Sequence, residues 1–384
     1  MIPYGRHEIT KDDIDAVVEV LKSDFLTQGN LVPEFENTVA EYCKALHGVA
    51  VNSATSALHI ACLALGLGKG DILWTSPITF VASANCARYC GADVDFVDID
   101  KKTYNMSPLA LEKKLIDAEK KGRLPKIVVP VHLCGQSCDM KAIFELSKRF
   151  GFKIIEDASH AIGGRYNDEP IGGCTYCDIT IFSFHPVKIV TTGEGGMAVT
   201  NSKELAEQMS LLRSHGVTRD KGKMTHEPDG PWYYQQIDLG FNYRMTDIQA
   251  ALGISQFKRI DEIVNRRHAI ADKYFDRLSN YEFCLPWQHP DTYSAFHLFP
   301  IKINSKSSSI SRGDVFSKLR CEGIGVNVHY IPVHTQPYYK GLGFSEGDYP
   351  NAEEYYESAI SLPMFPTLQE EQIDYIVDVC AKCF

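Results

Sequence analysis

Several things are missing from this chain of 384 residues, and each absence removes a class of function. No apolar run approaches the roughly 18–20 residues that a membrane-spanning helix needs. The opening MIPYGRHEIT holds no apolar core of a secretory leader, so none is expected there. Basic residues are outnumbered, 39 Lys and Arg against 49 Asp and Glu, for a formal net charge of −10. A continuous basic face that tracks nucleic acid is therefore not expected. There is no internal repeat and no low-complexity tract. The glycine fingerprint G-x-G-x-x-G is also absent after the first predicted strand, where the chain reads NSATSA. A nicotinamide-dependent sugar dehydrogenase, which would share the strand–helix alternation described below, needs those glycines.

Cysteine is not scarce, but it is scattered. Twelve cysteines lie in a chain too long, and with too little sign of export, for a disulfide framework. Cys174/Cys177 and Cys380/Cys383 have C-x-x-C spacing without the Gly- and Lys-rich flanks of a zinc knuckle. No metal is expected, most thiols read as small buried hydrophobes, and the expected compartment is the cytoplasm.

What is present is an alternation. Thr10 and Asp13 have the spacing of a helix cap, and Ile14, Val17, Val18 and Leu21 follow at helical period. Phe35, Val39, Cys43 and Leu46 mark a second helix. Short apolar runs at 49–51, 72–74, 94–97, 127–131, 154–155, 179–182 and 197–199 are mostly separated by helical patterns. This predicts an α/β domain with a mostly parallel sheet, whose ligands sit at the carboxyl ends of strands. After about residue 200 the pattern turns more helical. Residues 246–278 predict one long helix or a broken pair, 296–303 a strand, 311–322 a helix and 323–334 an extended segment. We expect a large domain over 1–255 and a smaller α+β domain over 256–384, with the N-terminal segment packed on the latter. Residues 221–234 predict a long flexible loop.

Four strand-end loops carry reactive groups. NSATSALH (52–59) opens a helix with small hydroxyl residues, either as an ordinary cap or as an anion site at the positive helix end. IIEDASH (154–160) puts Asp157 at the end of a buried strand, where it either pairs structurally or holds a protonated ring nitrogen. FSFHPVKIVTTGEGG (182–196) surrounds Lys188 with Val187, Ile189 and Val190. A lysine there is either a snorkelling surface group or a desolvated amine fit for Schiff-base chemistry, with Ser183 offering a hydroxyl to a phosphate. In LGFNYRMTDIQAALG (239–253), Asn242 and Arg244 either bind an anion or order a turn.

Together these segments resemble the DegT/DnrJ/StrS family of nucleotide-sugar aminotransferases, which have fold type I of the pyridoxal-phosphate enzymes. The resemblance runs through LTQG (26–29), NSATSAL (52–58), TSPITFVASAN (75–85), VDFVDID (94–100), VHLCGQ (131–136), EDASHAIG (156–163), SFHPVKIVTTGEGG (183–196), RSHG (213–216), FNYRMTDIQAALG (241–253) and VHYIPVH (328–334). Within the family, NSATSAL and the SFH–K–TT–EGG frame most resemble the 4-aminotransferases of pseudaminic acid biosynthesis.

The resemblance implies a role for each matched position. Lys188 is the lysine that bonds to pyridoxal phosphate, and Asp157 the acid on its ring nitrogen. Phe80 is the aromatic that stacks on the ring. Ala54, Thr55 and Ser183 are phosphate contacts, and His160 neighbours the cofactor hydroxyl. Asn242 is a phosphate ligand supplied by the other subunit of a homodimer with a shared active site. Tyr4, Leu26, Thr27, His185, His329 and Tyr330 face the sugar nucleotide. Cys134 departs from the family's bulkier residue and is expected to alter the pocket wall. The implied reaction moves an amino group from L-glutamate to C4 of a UDP-linked 4-keto-6-deoxy-sugar, or of a related 4-keto nucleotide sugar. Dehydratases of the same fold carry His in place of the lysine, and Lys188 is present here.

Overall fold

Seven of the apolar runs become one sheet. The computed structural model describes residues 1–303 and 310–383. Its first strands are β1 (His47–Val51), β2 (Ile72–Thr75), β3 (Asp93–Phe96), β4 (Ile127–Val129) and β5 (Lys153–Asp157). A short hairpin, β6 (Arg165–Tyr166) and β7 (Glu169–Pro170), precedes β8 (Ile179–Ser183) and β9 (Gly196–Thr200). The sheet runs β1-β9-β8-β5-β4-β2-β3. All the pairings from β8 to β3 are parallel, and only β9 runs antiparallel to its neighbours β1 and β8. Every residue of β2, β4, β8 and β9 is buried. A sheet covered on both faces wants continuous apolar strands rather than alternating ones, and these runs are continuous.

The connecting helices start where small polar residues stop them from fraying. Ser53, Ser107, Asp139 and Ser202 each accept a first-turn N–H at the head of helices Ala54–Ala64, Pro108–Lys120, Met140–Phe150 and Lys203–Leu212. Thr10 and Asp13 form the expected reciprocal cap of helix Lys11–Leu21. The inward face of that helix differs from its apolar spacing, however. Asp13 and Val20 are buried, while Ile14 and Leu21 are exposed. Asp13 turns inward because Ser255, Gln256 and Arg259 all donate to its carboxylate, and buried charge requires such partners.

The chain beyond residue 200 builds a second apolar cluster. Strands β10 (Val217–Thr218) and β11 (Gln235–Gln236) bracket residues 221–234, which hold only one short 3-10 turn, Lys221–Lys223. The 246–278 pattern resolves as a broken pair, Asp247–Phe257 and Ile260–Leu278. Then come β12 (Phe283–Cys284), β13 (Thr292–Tyr293), β14 (Phe299–Ile303), helix Arg312–Cys321, β15 (Ala359–Leu362) and helix Glu370–Ala381. β12, β14 and β15 form an antiparallel sheet over a core that includes Tyr274, Phe299, Val315, Ile360 and Ile376. Residues 323–334 hold isolated bridges, to Ile2 and to Ser361, rather than a strand. The N-terminal segment lies on this cluster: Ile2 exchanges backbone hydrogen bonds with Gly323 and Gly325, and Met364 donates to the Tyr4 carbonyl. A division at 255/256 cuts helix Asp247–Phe257. The packing changes later, between Val264, which joins the large-sheet core, and Ile270, which joins the second.

Candidate active site

The carboxyl ends of β5 and β8 open into a cavity of about 530 Å³. Its walls come from the head of helix Ala54–Ala64, the Thr79–Ser83 turn, the 183–195 loop, and the 327–330 segment of the second cluster. Tyr4, Ala54, Thr55, Phe80, Asp157, His160, Ser183, His185, Lys188, His329 and Tyr330, all named from the sequence, line it together.

Asp157 ends β5 with its side chain buried. Its Oδ2 accepts from Ser83 Oγ at 2.6 Å and its Oδ1 from the Ser159 N–H at 3.1 Å. Both donors are neutral, so no cation among them pairs with the carboxylate. Lys188 follows β8 in a turn closed by its own N–H on the His185 carbonyl at 2.9 Å. Burial of the amine pulls its pKa down to about 8, against the upward pull of Asp157. The surrounding loop is pinned by Phe184, which donates to the Gly195 carbonyl and accepts from Thr191 and Thr192.

Three more polar rings, His160, His297 and His329, line the cavity. His160 Nδ1 accepts the Cys134 N–H at 3.3 Å, which leaves the ring proton on Nε2, 3.1 Å from the Tyr330 hydroxyl. His297 lies with its ring centroid 4.4 Å from that of His160, and its buried Nδ1 has no hydrogen-bond partner among the described residues. His329 Nδ1 meets Ser361 Oγ at 2.8 Å. Burial first, and positive charge on Lys188 as well, push all three below the ordinary imidazole range, His329 to about 3. They are neutral at physiological pH. Burial pushes the Tyr4 hydroxyl up, countered by its hydrogen bond to Asn327.

The residues fit pyridoxal phosphate on several independent points. Ala54 and Thr55, whose N–H groups open helix Ala54–Ala64 ahead of the Ser56 N–H that Ser53 caps, line the cavity together with Ser183, as a phosphate site requires. Gly196 lies so close that a Cβ there would sit 2.4 Å from the Ala54 nitrogen and 2.5 Å from the Ser53 carbonyl carbon. Only a glycine lets β9 pass under the helix head. Phe80 lines the cavity and is 59% exposed, as an aromatic that stacks on a bound ring would be.

Three expected residues lie elsewhere. Leu26, Thr27 and Asn242 are exposed and do not line this cavity. Thr27 bridges Thr246, and Asp247 donates its N–H to the Leu26 carbonyl at 3.0 Å, while Asn242 bridges Ser214. Cys134 also departs from expectation. Its side chain is buried outside the cavity wall, and it reaches the site through its backbone N–H on His160. Ser83, His297 and Asn327 were not foreseen. Ser83 had a signal, since it stands three residues after Phe80 at the start of a helical pattern. His297 and Asn327 arrive from the second cluster without a local one.

All twelve cysteines are free. Cys174 and Cys177 both contact Thr180 Oγ1, at 3.5 and 3.2 Å. Among the described residues no group of three or more His, Cys, Asp or Glu is placed to hold a metal ion, and no helix is long and apolar enough to cross a membrane.

Comparison with known proteins agrees with this geometry. Residues 7–381 match the DegT/DnrJ/EryC1/StrS aminotransferase family. The spore coat polysaccharide biosynthesis protein SpsC of Bacillus subtilis is 39% identical over 98% of this chain and 95% of its own. A UDP-4-amino-4,6-dideoxy-N-acetyl-beta-L-altrosamine transaminase of Campylobacter jejuni is 37% identical over 98% and 96%. Among solved structures, the aminotransferase PseC of Helicobacter pylori, involved in pseudaminic acid biosynthesis, superposes with a TM-score of 0.90 at 31% identity, covering 100% of this chain and 99% of that one. The putative sugar aminotransferase Spr1654 of Streptococcus pneumoniae, in its PLP form, gives 0.89 at 29% identity, covering 100% and 98%. The chain belongs to the DegT/DnrJ/EryC1/StrS aminotransferase family and is a pyridoxal-phosphate-dependent aminotransferase.

Proposed function

We propose that this enzyme moves an amino group from L-glutamate to C4 of a UDP-linked, N-acetylated 4-keto-6-deoxy-hexose. The observation that carries the reading is the coincidence of the Lys188–Asp157–Phe80 set in one cavity with 37% end-to-end identity to an altrosamine transaminase. Bound pyridoxal phosphate supplies the electron sink that stabilises a carbanion at the reacting carbon. The chain's own residues do the rest. The Asp157 carboxylate holds the ring nitrogen, the Phe80 face fixes the ring plane, and the head of helix Ala54–Ala64 with Ser183 anchors the phosphate. Lys188 Nζ, depressed to about 8, has a free-amine fraction near neutral pH and would take and return the proton of the reacting carbon. Neutral His160 and Tyr330 form one polar edge of the cavity. Tyr4, His185 and His329 line the side on which the sugar is read.

The exposure of Leu26, Thr27 and Asn242 outside their own chain's cavity supports a homodimer in which these residues serve the partner's cavity. Phe25 and Leu239, exposed apolar side chains in the same two segments, support burial of those segments. Free thiols throughout fit a reducing compartment such as the cytoplasm.

The test is an assay with ¹⁵N-glutamate against 4-keto-6-deoxy sugars carried on UDP, dTDP and GDP. The expected result is ¹⁵N at C4 of the UDP sugar with the highest kcat/KM. A higher kcat/KM for a dTDP or GDP sugar, or for another UDP-linked 4-keto sugar, would replace the acceptor named here.

A further inference from the structure

One side chain of the cavity has no role in the reaction above. His297 lines the cavity beside His160, is 4% exposed, and keeps its ring centroid 4.4 Å from that of its neighbour. Its Nδ1 is closed off with no hydrogen-bond partner among the described residues, whereas Nε2 is not closed off in this way. Burial first, then repulsion from the basic groups around it, holds the pKa well below the ordinary imidazole range, so the ring is neutral. A neutral imidazole carries one proton, and on Nδ1 that donor would be buried and unspent. The proton therefore sits on Nε2, the nitrogen left to serve a molecule in the cavity.

The backbone holds that ring at a cost. Ala295 donates to the Gly135 carbonyl at 3.0 Å and Leu298 to the Cys134 carbonyl at 3.3 Å. Both sides of His297 are thus stapled to the segment whose Cys134 N–H holds His160. A Cβ on Gly135 would meet the Phe296 and His297 nitrogens at 2.8 and 3.1 Å, so only a glycine permits the approach. Phe296 is held at a φ of +42°, a left-handed value that a bulky residue keeps only where its surroundings impose it. Arg267 helps impose it. Its buried Nη1 donates to the carbonyls of Phe296, His297 and Met364 at 3.0, 3.2 and 3.1 Å. Burying a guanidinium against carbonyls alone is expensive, and so is the strained φ. Both costs converge on the placement of one ring.

We propose that His297 donates its Nε2–H to a carboxylate of the amino donor, an inference that rests on the reading that the amino group comes from an amino acid. Any such donor brings at least one carboxylate, and glutamate brings two. Among the described residues that line the cavity, Lys188 is the one lysine or arginine, and its amine is committed to moving a proton. The cofactor's own polar groups already have partners in Asp157, Ser183 and the head of helix Ala54–Ala64. Carboxylate binding therefore falls to a neutral donor, and His297 is the unspent one. A neutral donor also suits a cavity that must next admit a sugar. An arginine fixed there would lose its anion and stay desolvated when the uncharged hexose arrived, whereas an imidazole N–H loses far less.

The test isolates the donor half of the reaction. The holoenzyme is mixed with L-glutamate, L-glutamine, L-aspartate or L-alanine, and the change in cofactor absorbance is followed by stopped flow. His297→Phe keeps a ring against His160 but has no donor, while His297→Gln carries an amide nitrogen where Nε2 stands. With the amino acid that converts wild type fastest, His297→Phe should raise the half-saturating concentration by about 10- to 100-fold, with a smaller change in limiting rate. His297→Gln should recover most of that loss, and cofactor affinity should stay near wild type in both. A rise for all four amino acids assigns the α-carboxylate, and one confined to glutamate and aspartate assigns the side-chain carboxylate. If His297→Phe fails to fold, His297→Asn replaces it, since its amide reaches only the place of Nδ1. Half-saturation unchanged in the donor-free variant, or raised equally in His297→Gln, overturns the proposal. Conversion by another amino acid but not by glutamate replaces glutamate alone, and the proposal is then judged with that amino acid. A wild type that none of the four converts removes the amino-acid donor and this proposal together.

Discussion

Ser83 donates its hydroxyl to Oδ2 of Asp157 at 2.6 Å, one helical turn past the Phe80 ring. With the Ser159 N–H on Oδ1, it fixes the plane of the carboxylate that the proposed function sets against the cofactor ring. The Ser83 hydroxyl is itself held by Thr79 Oγ1 at 2.7 Å, so the orientation is set two residues deep. Ser83→Ala leaves Oδ2 short of a donor in a buried setting, a loss of about 1–2 kcal/mol. The expected outcome is a roughly tenfold weaker cofactor affinity and a similar fall in kcat/KM. Cofactor titration by absorbance and steady-state kinetics measure both. If neither moves, Ser83 is not what orients Asp157.

Lys188 links activity to a pH-dependent stability. Replacing it with Ala removes the amine that moves the proton, and turnover should fall by several orders of magnitude together with the borohydride-fixable chromophore. The cofactor-free protein gives a separate readout. The folded value of about 8 lies below the unfolded 10.5, so between those values the unfolded chain binds more protons and stability rises with pH. Below pH 8 the folded protein carries the full cost of a desolvated ammonium. Lys188→Met, which keeps the volume, should therefore be more stable than wild type at pH 7 by about 1–3 kcal/mol, since the cavity mouth is open to water. The gap should close as pH approaches 10.5. Urea unfolding of the cofactor-free proteins at pH 7 and 10 decides it, and a gap independent of pH would contradict the assignment.

The strands of the large sheet were legible because burial on both faces forces continuous apolar runs, and the caps were legible because Ser and Thr at helix heads have few other uses. The loops around Asp157 and Lys188 followed, since strand ends are where a parallel sheet exposes its chemistry. What lay hidden was tertiary. Ile14 and Leu21 have the spacing of a core face, yet the helix turns Asp13 inward because its three partners sit about 240 residues away. His297 and Asn327 enter the site from the second cluster, and no local pattern marks them. Cys134 was visible as an oddity, but its contribution is a backbone N–H, which its side chain does not encode.

Gly196 is the tightest backbone approach at the phosphate end of the site. A methyl group there would meet Ser53 and Ala54 backbone atoms at 2.4–2.6 Å, and neither neighbour is a side chain that can swing away. Gly196→Ala must push β9 from the helix head. The expected cost is about 1–3 kcal/mol of stability. Because the displaced atoms include the N–H group aimed at the phosphate, cofactor affinity should fall as well. Comparing the thermal midpoints of cofactor-free and saturated protein separates the two effects. A variant that loses stability while keeping wild-type cofactor affinity would show that the helix head tolerates the shift.

Asn242 is exposed, bridges Ser214, and is not among the residues that line its own chain's cavity. If it completes the partner's phosphate site, two inactive variants can rescue one another. In a hybrid of Lys188→Ala with Asn242→Ala chains, one site combines both defects. The other combines an intact Lys188 with an intact Asn242 from across the two-fold axis. Random reassortment makes half the dimers hybrid, so about a quarter of wild-type activity should return on unfolding and co-refolding the mixture. Each variant refolded alone gives the baseline. Hybrids that form, as shown by tagged co-purification, yet stay at that baseline would place the function of Asn242 within its own chain.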